Sequence, residues 1–223
     1  MPAASFSPTS RAGDLLARVL GFAWFGFLAG GMVHVRVRPL LGDPDWSSRM
    51  VGALVPLLVD VLFYVMVAVI FLVRRVPARK APGVVPRVAA FLGAFGLLGL
   101  GYLPPRQETW VVWTAAAVSL LAHGWMVVSL AWLGRNFSIF PEARRLVTSG
   151  PYRVVRHPLY LGEILAAIAL ALLHLGPVAL AALVAWIPIQ VYRALVEEQV
   201  LAAAHPEYQD YRRHVRRLVP GLW

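Results

Sequence analysis

Residues 159–195 read LYLGEILAAIALALLHLGPVALAALVAWIPIQVYRAL, two long apolar runs broken only at Gly176-Pro177. A hydrocarbon core of about 30 Å takes about 20 helical residues to cross. Leu159–Leu175 is marginally short for that and Pro177–Leu195 is adequate, while Gly-Pro is a natural break between helices. The pair therefore reads as a helical hairpin written for lipid. Working outward, four further apolar runs precede it: Leu15–Val35, Val51–Val73, Val85–Leu103 and Trp110–Leu133. All are expected to be helices, because open strands leave backbone groups unpaired in hydrocarbon. The sequence thus predicts an all-α polytopic membrane protein with about six transmembrane helices.

Composition agrees. The 223 residues are 59% hydrophobic, against about 45–50% in soluble domains. The net charge is +10, carried almost wholly by arginine, since Lys80 is the sole lysine. These arginines cluster between the apolar runs, which suits anionic headgroups. Basic and aromatic residues are not interleaved as a base-stacking surface requires, so nucleic acid is not an expected partner. With no cysteine in the chain, disulfides, thiolate catalysis and cysteine-ligated metals are excluded, and no metal ligand set is predicted. Residues 1–14, MPAASFSPTSRAGD, lack the charged start and cleavage site of a signal peptide and read as a short disordered tail. Gly26 with Gly30, and Ala89 with Gly93, have the spacing of close helix approach. No G-x-G-x-x-G follows a strand-like segment, so a Rossmann cofactor domain is not expected.

Arginine placement sets the expected orientation. The loop after the second run reads RRVPARK, and the loop after the fourth holds Arg135, Arg144, Arg145, Arg153 and Arg156. PPRQET, between the third and fourth, has one arginine and one glutamate. Positive charge stays in the cytoplasm, which puts both termini, RRVPARK, the Gly134–Pro158 loop and the final tail there. The Arg36–Arg49 loop, with three arginines against Asp43 and Asp45, is then extracellular.

Two polar stretches flank the hairpin: LGRNFSIFPEARRLVTSGPYRVVRHPLYLG over 133–162, and YRALVEEQVLAAAHPEYQDYRRHVRRLVPGLW over 192–223. They put charge, phenols and a histidine where the chain enters and leaves the bilayer, at a depth where such groups are costly. RHPLYLG (156–162) resembles the RHPxYxG signature of the isoprenylcysteine carboxyl methyltransferase and phospholipid methyltransferase superfamily. Glu197-Glu198 is similar to the paired glutamates that follow it there, as are the lead-in GPYRVVRHP and the tail EYQDYRRHVRRLVPGL. His205 departs from the pattern, standing where the family usually has phenylalanine. The likeness covers Gly134 to Trp223, leaving residues 15–133 as a four-helix scaffold and 134–223 as the catalytic region.

The resemblance implies an integral membrane methyltransferase that uses S-adenosylmethionine, enclosed by the hairpin end, the preceding loop and the cytoplasmic tail. Such a cofactor needs aromatic surface, acidic acceptors and basic donors together. Tyr152, Arg156, His157, Tyr160, Gly162, Glu197, Glu198 and Tyr208 are the expected cofactor-binding residues, with Gly162 allowing close backbone approach. Arg193, Glu197 and Glu198 are the expected catalytic residues: Arg193 to orient the acceptor, the glutamates for base or cofactor duty. The expected acceptor is a lipophilic small molecule or prenylated group reaching the site through membrane lipid, and the arginine-rich, Ala/Val/Leu-rich composition points to a bacterial inner membrane. Alternatives are a sterol reductase-type membrane enzyme using NADPH and a non-enzymatic scaffold. Other residues have plainer roles. Pro158 is a helix starter. Glu163 must be paired inside the membrane, with Arg193 its candidate partner. Asp60 and His123, inside the second and fourth runs, each read as a group that hydrogen-bonds to a neighbouring helix, and Arg212, Arg213, Arg216 and Arg217 as a headgroup anchor.

Overall fold

The computed structural model describes residues 11–38, 46–106 and 108–219. Seven α-helices are described: α1 (Arg11–Val37), α2 (Trp46–Val73), α3 (Val85–Phe95), α4 (Thr109–Leu133), α5 (Pro158–Leu173), α6 (Pro177–Ala204) and the short α7 (Tyr208–His214). A two-residue strand, β1 (Arg79–Lys80), pairs antiparallel with β2 (Glu142–Ala143).

The six apolar helices run in alternating directions. At one end, Arg18 reaches the Leu72 carbonyl at 2.7 Å and Arg75 N–H donates to the Arg135 carbonyl at 2.8 Å. These bonds, with the β1–β2 ribbon, gather the start of α1 and the ends of α2 and α4. At the other end, Arg106 N–H donates to the Leu173 carbonyl at 2.7 Å, joining the α3–α4 turn to the end of α5. Among the described residues, three helices are long and apolar enough to cross a membrane, over Gly13–His34, Thr109–Asn136 and Pro177–Ala204; Leu57–Val73, Val85–Gly101 and Pro158–Leu173 are shorter apolar helices.

Local chemistry explains most of the boundaries. Pro158 and Pro177 each open their helix at the first turn, where the missing N–H costs nothing. Gly134 closes α4 at φ +51°, the left-handed position that glycine adopts without strain. The expected single run Val85–Leu103 instead ends as an α-helix at Phe95 and continues as a 3₁₀ turn over Leu98–Tyr102. Gly96, Gly99 and Gly101 fall there, and glycine is among the poorest helix formers. The expected tail 1–14 is shortened as well, because α1 begins at Arg11. Asp14 lies in its first turn, where a carboxylate meets the positive end of the helix, and it pairs with Arg18 one turn on at 2.7 Å. Residues 1–10, and residues 39–45 of the Arg36–Arg49 loop, lie outside the described residues.

The small-residue readings divide. A Cβ at Gly26 or Gly30 meets nothing within 4 Å, so these two glycines do not mark a helix contact; Gly21 does, against the Phe71 ring. Gly93 makes room for the Arg193 side chain, and its carbonyl accepts from Trp186 Nε1 at 3.0 Å, binding α3 to α6. Gly162 lies under Met126 of α4 with the Ala122 carbonyl beside it, and Trp125 Nε1 donates to the Pro158 carbonyl at 2.9 Å on the same interface.

A Gly162→Val substitution should therefore overpack the α4–α5 contact and cost about 1–3 kcal/mol. Unfolding of the detergent-solubilised protein should begin at a lower temperature than in the parent. An unchanged midpoint would mean that the two helices do not meet at this residue.

Candidate active site

The chain from Val155 to Pro158 enters α5 beside the segment that follows α7. Arg156 N–H donates to the Arg216 carbonyl at 2.7 Å and His157 N–H to the Arg217 carbonyl at 3.1 Å, with Val155 and Arg216 forming a parallel bridge. One carboxylate secures the junction. Glu198 Oε1 accepts from Arg156 Nε at 3.0 Å, His157 Nε2 at 3.1 Å and Arg217 Nε at 2.9 Å, while Oε2 takes Arg217 Nη2 at 3.1 Å. Arg156 Nη1 also binds the Arg212 and Val215 carbonyls at 2.7 and 3.0 Å. Leu218 completes the docking by packing with Tyr160 and Ala194. Arg217 is thus part of this clamp and not a headgroup anchor; Arg212, Arg213 and Arg216 remain exposed.

Behind the clamp lies a cavity of about 710 Å³ walled by α2–α6, the loop before α5 and α7. Glu197 lines it, together with Tyr152, Arg156, His157, Tyr160 and Tyr208. Adjacent residues on a helix point about 100° apart, as 3.6 residues complete a turn, so the paired glutamates divide. Glu197 faces the cavity and receives the Tyr160 hydroxyl at 2.6 Å; Glu198 turns to the clamp. His157 stacks on Tyr160 with ring centroids 5.3 Å apart.

Further in, Glu163 Oε2 accepts from Arg193 Nη1 at 2.8 Å and from Gln190 Nε2 at 2.5 Å. Arg193 also donates to Gln190 Oε1, and its guanidinium lies 4.6 Å from the Tyr160 ring centre, a favourable cation–π placement. The expected Glu163–Arg193 pairing is therefore present. Asp60 and His123, each expected to bond to a neighbouring helix, meet one another at 3.2 Å.

Several wall residues keep unused polar atoms. Tyr208 Oη, Asn136 Oδ1, Arg144 Nη1 and Arg193 Nε are buried with no hydrogen-bond partner among the described residues, and all four residues line the cavity. Such orphans are rare in folded proteins, and here they surround a space of ligand size. Burial, with Glu198 nearby, holds the Tyr208 phenol well above its usual range; burial and Glu197 do the same for Tyr152. Both hydroxyls stay protonated and available as donors. Gly162 is not among the lining residues, since Met126 covers it.

The polar loop and Glu197 thus converge, through the hairpin, on one cavity, with Glu198 in the clamp beside it. Residues 110–207 match the phospholipid methyltransferase family model. That domain takes in α4, the loop, the hairpin and the start of the tail. The chain is also 36% identical over 118 residues to the cobalt-zinc-cadmium resistance protein CzcN of Cupriavidus metallidurans, covering 49% of this chain and 54% of that protein. It is 31% identical over 122 residues to the nickel-cobalt-cadmium resistance protein NccN of Alcaligenes xylosoxydans xylosoxydans, covering 52% of this chain and 54% of that protein. The chain spans about half the length of these curated relatives.

Beyond the RHPLYLG motif, the structure adds residues whose place at the site the sequence did not mark, some in the cavity wall and Gln190 just behind it. Tyr211 lines the cavity and donates to the Tyr152 carbonyl at 2.5 Å; its signal was the i, i+3 spacing from Tyr208. Gln190, an amide inside an apolar run, was a comparable signal for a polar group at depth. Arg144 and Asn136 gave none, because arginine and asparagine are ordinary in a loop. His205, the departure from the family pattern, donates from Nε2 to the Arg144 carbonyl at 2.5 Å and ties the end of α6 to the loop.

Removing the clamp carboxylate with Glu198→Ala leaves Arg156, His157 and Arg217 facing one another without an anion. Breaking a buried pair in this way costs about 3–5 kcal/mol. Limited trypsin digestion should then cut at Arg212 or Arg213 much faster than in the parent. Equal cleavage rates would show that Glu198 does not hold the tail.

Proposed function

We propose that the protein is an integral membrane methyltransferase that takes S-adenosylmethionine from the cytoplasm and methylates a lipophilic acceptor arriving from the bilayer. The observation that carries this proposal is the mixed chemistry of one cavity end within a methyltransferase-family domain: Glu197, Tyr152, Tyr160 and Tyr208, with the buried Tyr208 hydroxyl unpaired. A cofactor with a ribose diol, an ammonium and a carboxylate fits that donor and acceptor set. When bound, it supplies a methyl group made electrophilic by the sulfonium to which it is attached.

The chain's own residues do the positioning. Glu197 is held by the Tyr160 hydroxyl through Oε2, leaving Oε1 to accept from a hydroxyl or ammonium. Tyr208 offers its unpaired hydroxyl, and the tyrosine rings offer apolar faces to an adenine or a sulfonium. His157 and Arg156 shape the wall, and their commitment to Glu198 makes them positioning residues. Arg193, fixed by Glu163 and Gln190, retains Nε to orient an acceptor oxygen. Methyl transfer is an in-line displacement in which alignment is the main task, and a carboxylate acceptor such as that of prenylated cysteine needs orientation and no base.

Topology fits the same proposal. All six apolar helices are read as spans, with the 16 residues of α5 covering roughly 24 Å; local bilayer thinning accommodates that length. The arginine-rich loops put the polar cavity end at the cytoplasm. Reporter fusions after Lys80 and Trp223 should give cytoplasmic signals, and an external signal at Trp223 would overturn the orientation.

Calorimetric titration with S-adenosylhomocysteine tests the cofactor directly, with NADPH as the comparison. Binding of the first alone is expected. Glu197→Ala and Tyr208→Phe should each weaken it roughly tenfold to hundredfold, the loss of about 1–3 kcal/mol in a buried hydrogen bond. Parental affinity in both variants would end the proposed site.

A further inference from the structure

The cavity does not stop at the cofactor end. It continues inward between α2 and α4, where Asp60, Ser119 and His123 line it beside Phe63 and Tyr64. His123 stands ten positions before Leu133, the last residue of α4; at 1.5 Å per residue that is roughly 15 Å along the helix. An ionisable pair at such depth, with a path to it, is more than a helix fastening requires.

The arrangement fixes the imidazole. Nδ1 faces only oxygens: the Ser119 carbonyl at 2.8 Å, Asp60 Oδ1 at 3.2 Å and Ser119 Oγ at 3.2 Å. The carbonyl and the carboxylate can only accept, so Nδ1 carries a proton, and in the neutral imidazole the lone pair is then on Nε2. Among the described residues Nε2 makes no hydrogen bond. The His123 side chain keeps 15% of its surface open, although Asp60 behind it is almost wholly buried. The neighbouring wall is aromatic, with the Phe63 ring set edge-on to the imidazole at 6.3 Å.

Resting on the methyltransferase reading of the same cavity, we infer that Asp60 and His123 form a recognition subsite for a neutral hydroxyl on a lipophilic, ring-bearing acceptor. His123 Nε2 accepts the hydroxyl hydrogen, Asp60 is the positioning residue that holds Nδ1–H, and Phe63 and Tyr64 flank the ring. A buried acceptor atom discriminates strongly, because a ligand that cannot donate leaves it unpaired in an apolar surrounding. The favoured molecules are therefore phenol-like or alcohol-bearing lipophiles, and simple alkyl chains are disfavoured.

The full chain in lipid nanodiscs can be titrated with 4-octylphenol and with its methyl ether, after subtraction of partition into empty discs. The phenol should bind roughly five- to tenfold more tightly than the ether. His123→Phe should erase that preference, and Asp60→Asn should reduce it at least to about half, both with S-adenosylhomocysteine affinity unchanged. Asp60→Asn keeps the shape of the site and serves where His123→Phe does not fold. No preference in the parent, or a full preference in the variants, overturns the subsite and leaves only a bond between helices. Loss of S-adenosylhomocysteine binding in the parent with the phenol preference intact supports the subsite and counts against the cofactor assignment alone.

Discussion

One carboxylate organises the end of this fold at which α5 begins and α6 finishes. Glu198 gathers the side chains of Arg156, His157 and Arg217 and so joins α6, the entry to α5 and the segment after α7. Taking a carboxylate out of water costs several kcal/mol. Four hydrogen bonds from three partners offset that cost, and the backbone bonds from Arg156 and His157 to Arg216 and Arg217 extend the junction along the chain. Without it, Tyr208 and Tyr211 would have no fixed relation to Glu197, and the cavity would lack a wall on that side.

A second polar cluster works at greater depth. Glu163, Gln190 and Arg193 bond to one another where hydrocarbon offers no partners, leaving Arg193 Nε over, and the Tyr160 ring covers the guanidinium. The two clusters meet through Tyr160, which touches Arg193 by its face and Glu197 by its hydroxyl. A change in either cluster is therefore transmitted to the residue that holds Glu197 in position.

Periodicity and length made much of this legible. The apolar runs, the Gly176-Pro177 break and the motif RHPLYLG located the helices and the polar end of the site. The cost of charge in lipid was enough to pair Glu163 with Arg193 and to expect partners on other helices for Asp60 and His123, without saying that the two would find each other. What the sequence left open was rotational phase. Glu197 and Glu198 are neighbours of one type, and only the packing of α6 decides which of them faces the cavity. The same holds for glycines: Gly162 lies under Met126, while Gly26 and Gly30 face open space, a difference that no spacing rule contains. Arg217 looked like three other arginines until the tail folded back onto Glu198. The break after Phe95 had a readable cause in three glycines, yet helix propensity is a weak prior beside an apolar run of that length.

The tail wall has a bearing on how the protein is made. Arg156 and Val215, which are hydrogen-bonded in the finished molecule, are 59 positions apart in the chain. At about 5–20 residues per second, Arg156 leaves the ribosome roughly 3–12 seconds before its partner. α5 and α6 are made within that interval, and once α6 is complete at Ala204 the groove that the six apolar helices enclose still stands open and Glu198 still lacks Arg217. The nascent protein thus passes through a stage with its membrane portion in place and a buried anion only part-neutralised. Any factor that attends its insertion meets an unsealed vestibule, and maturation is complete only when the final strand-like segment docks.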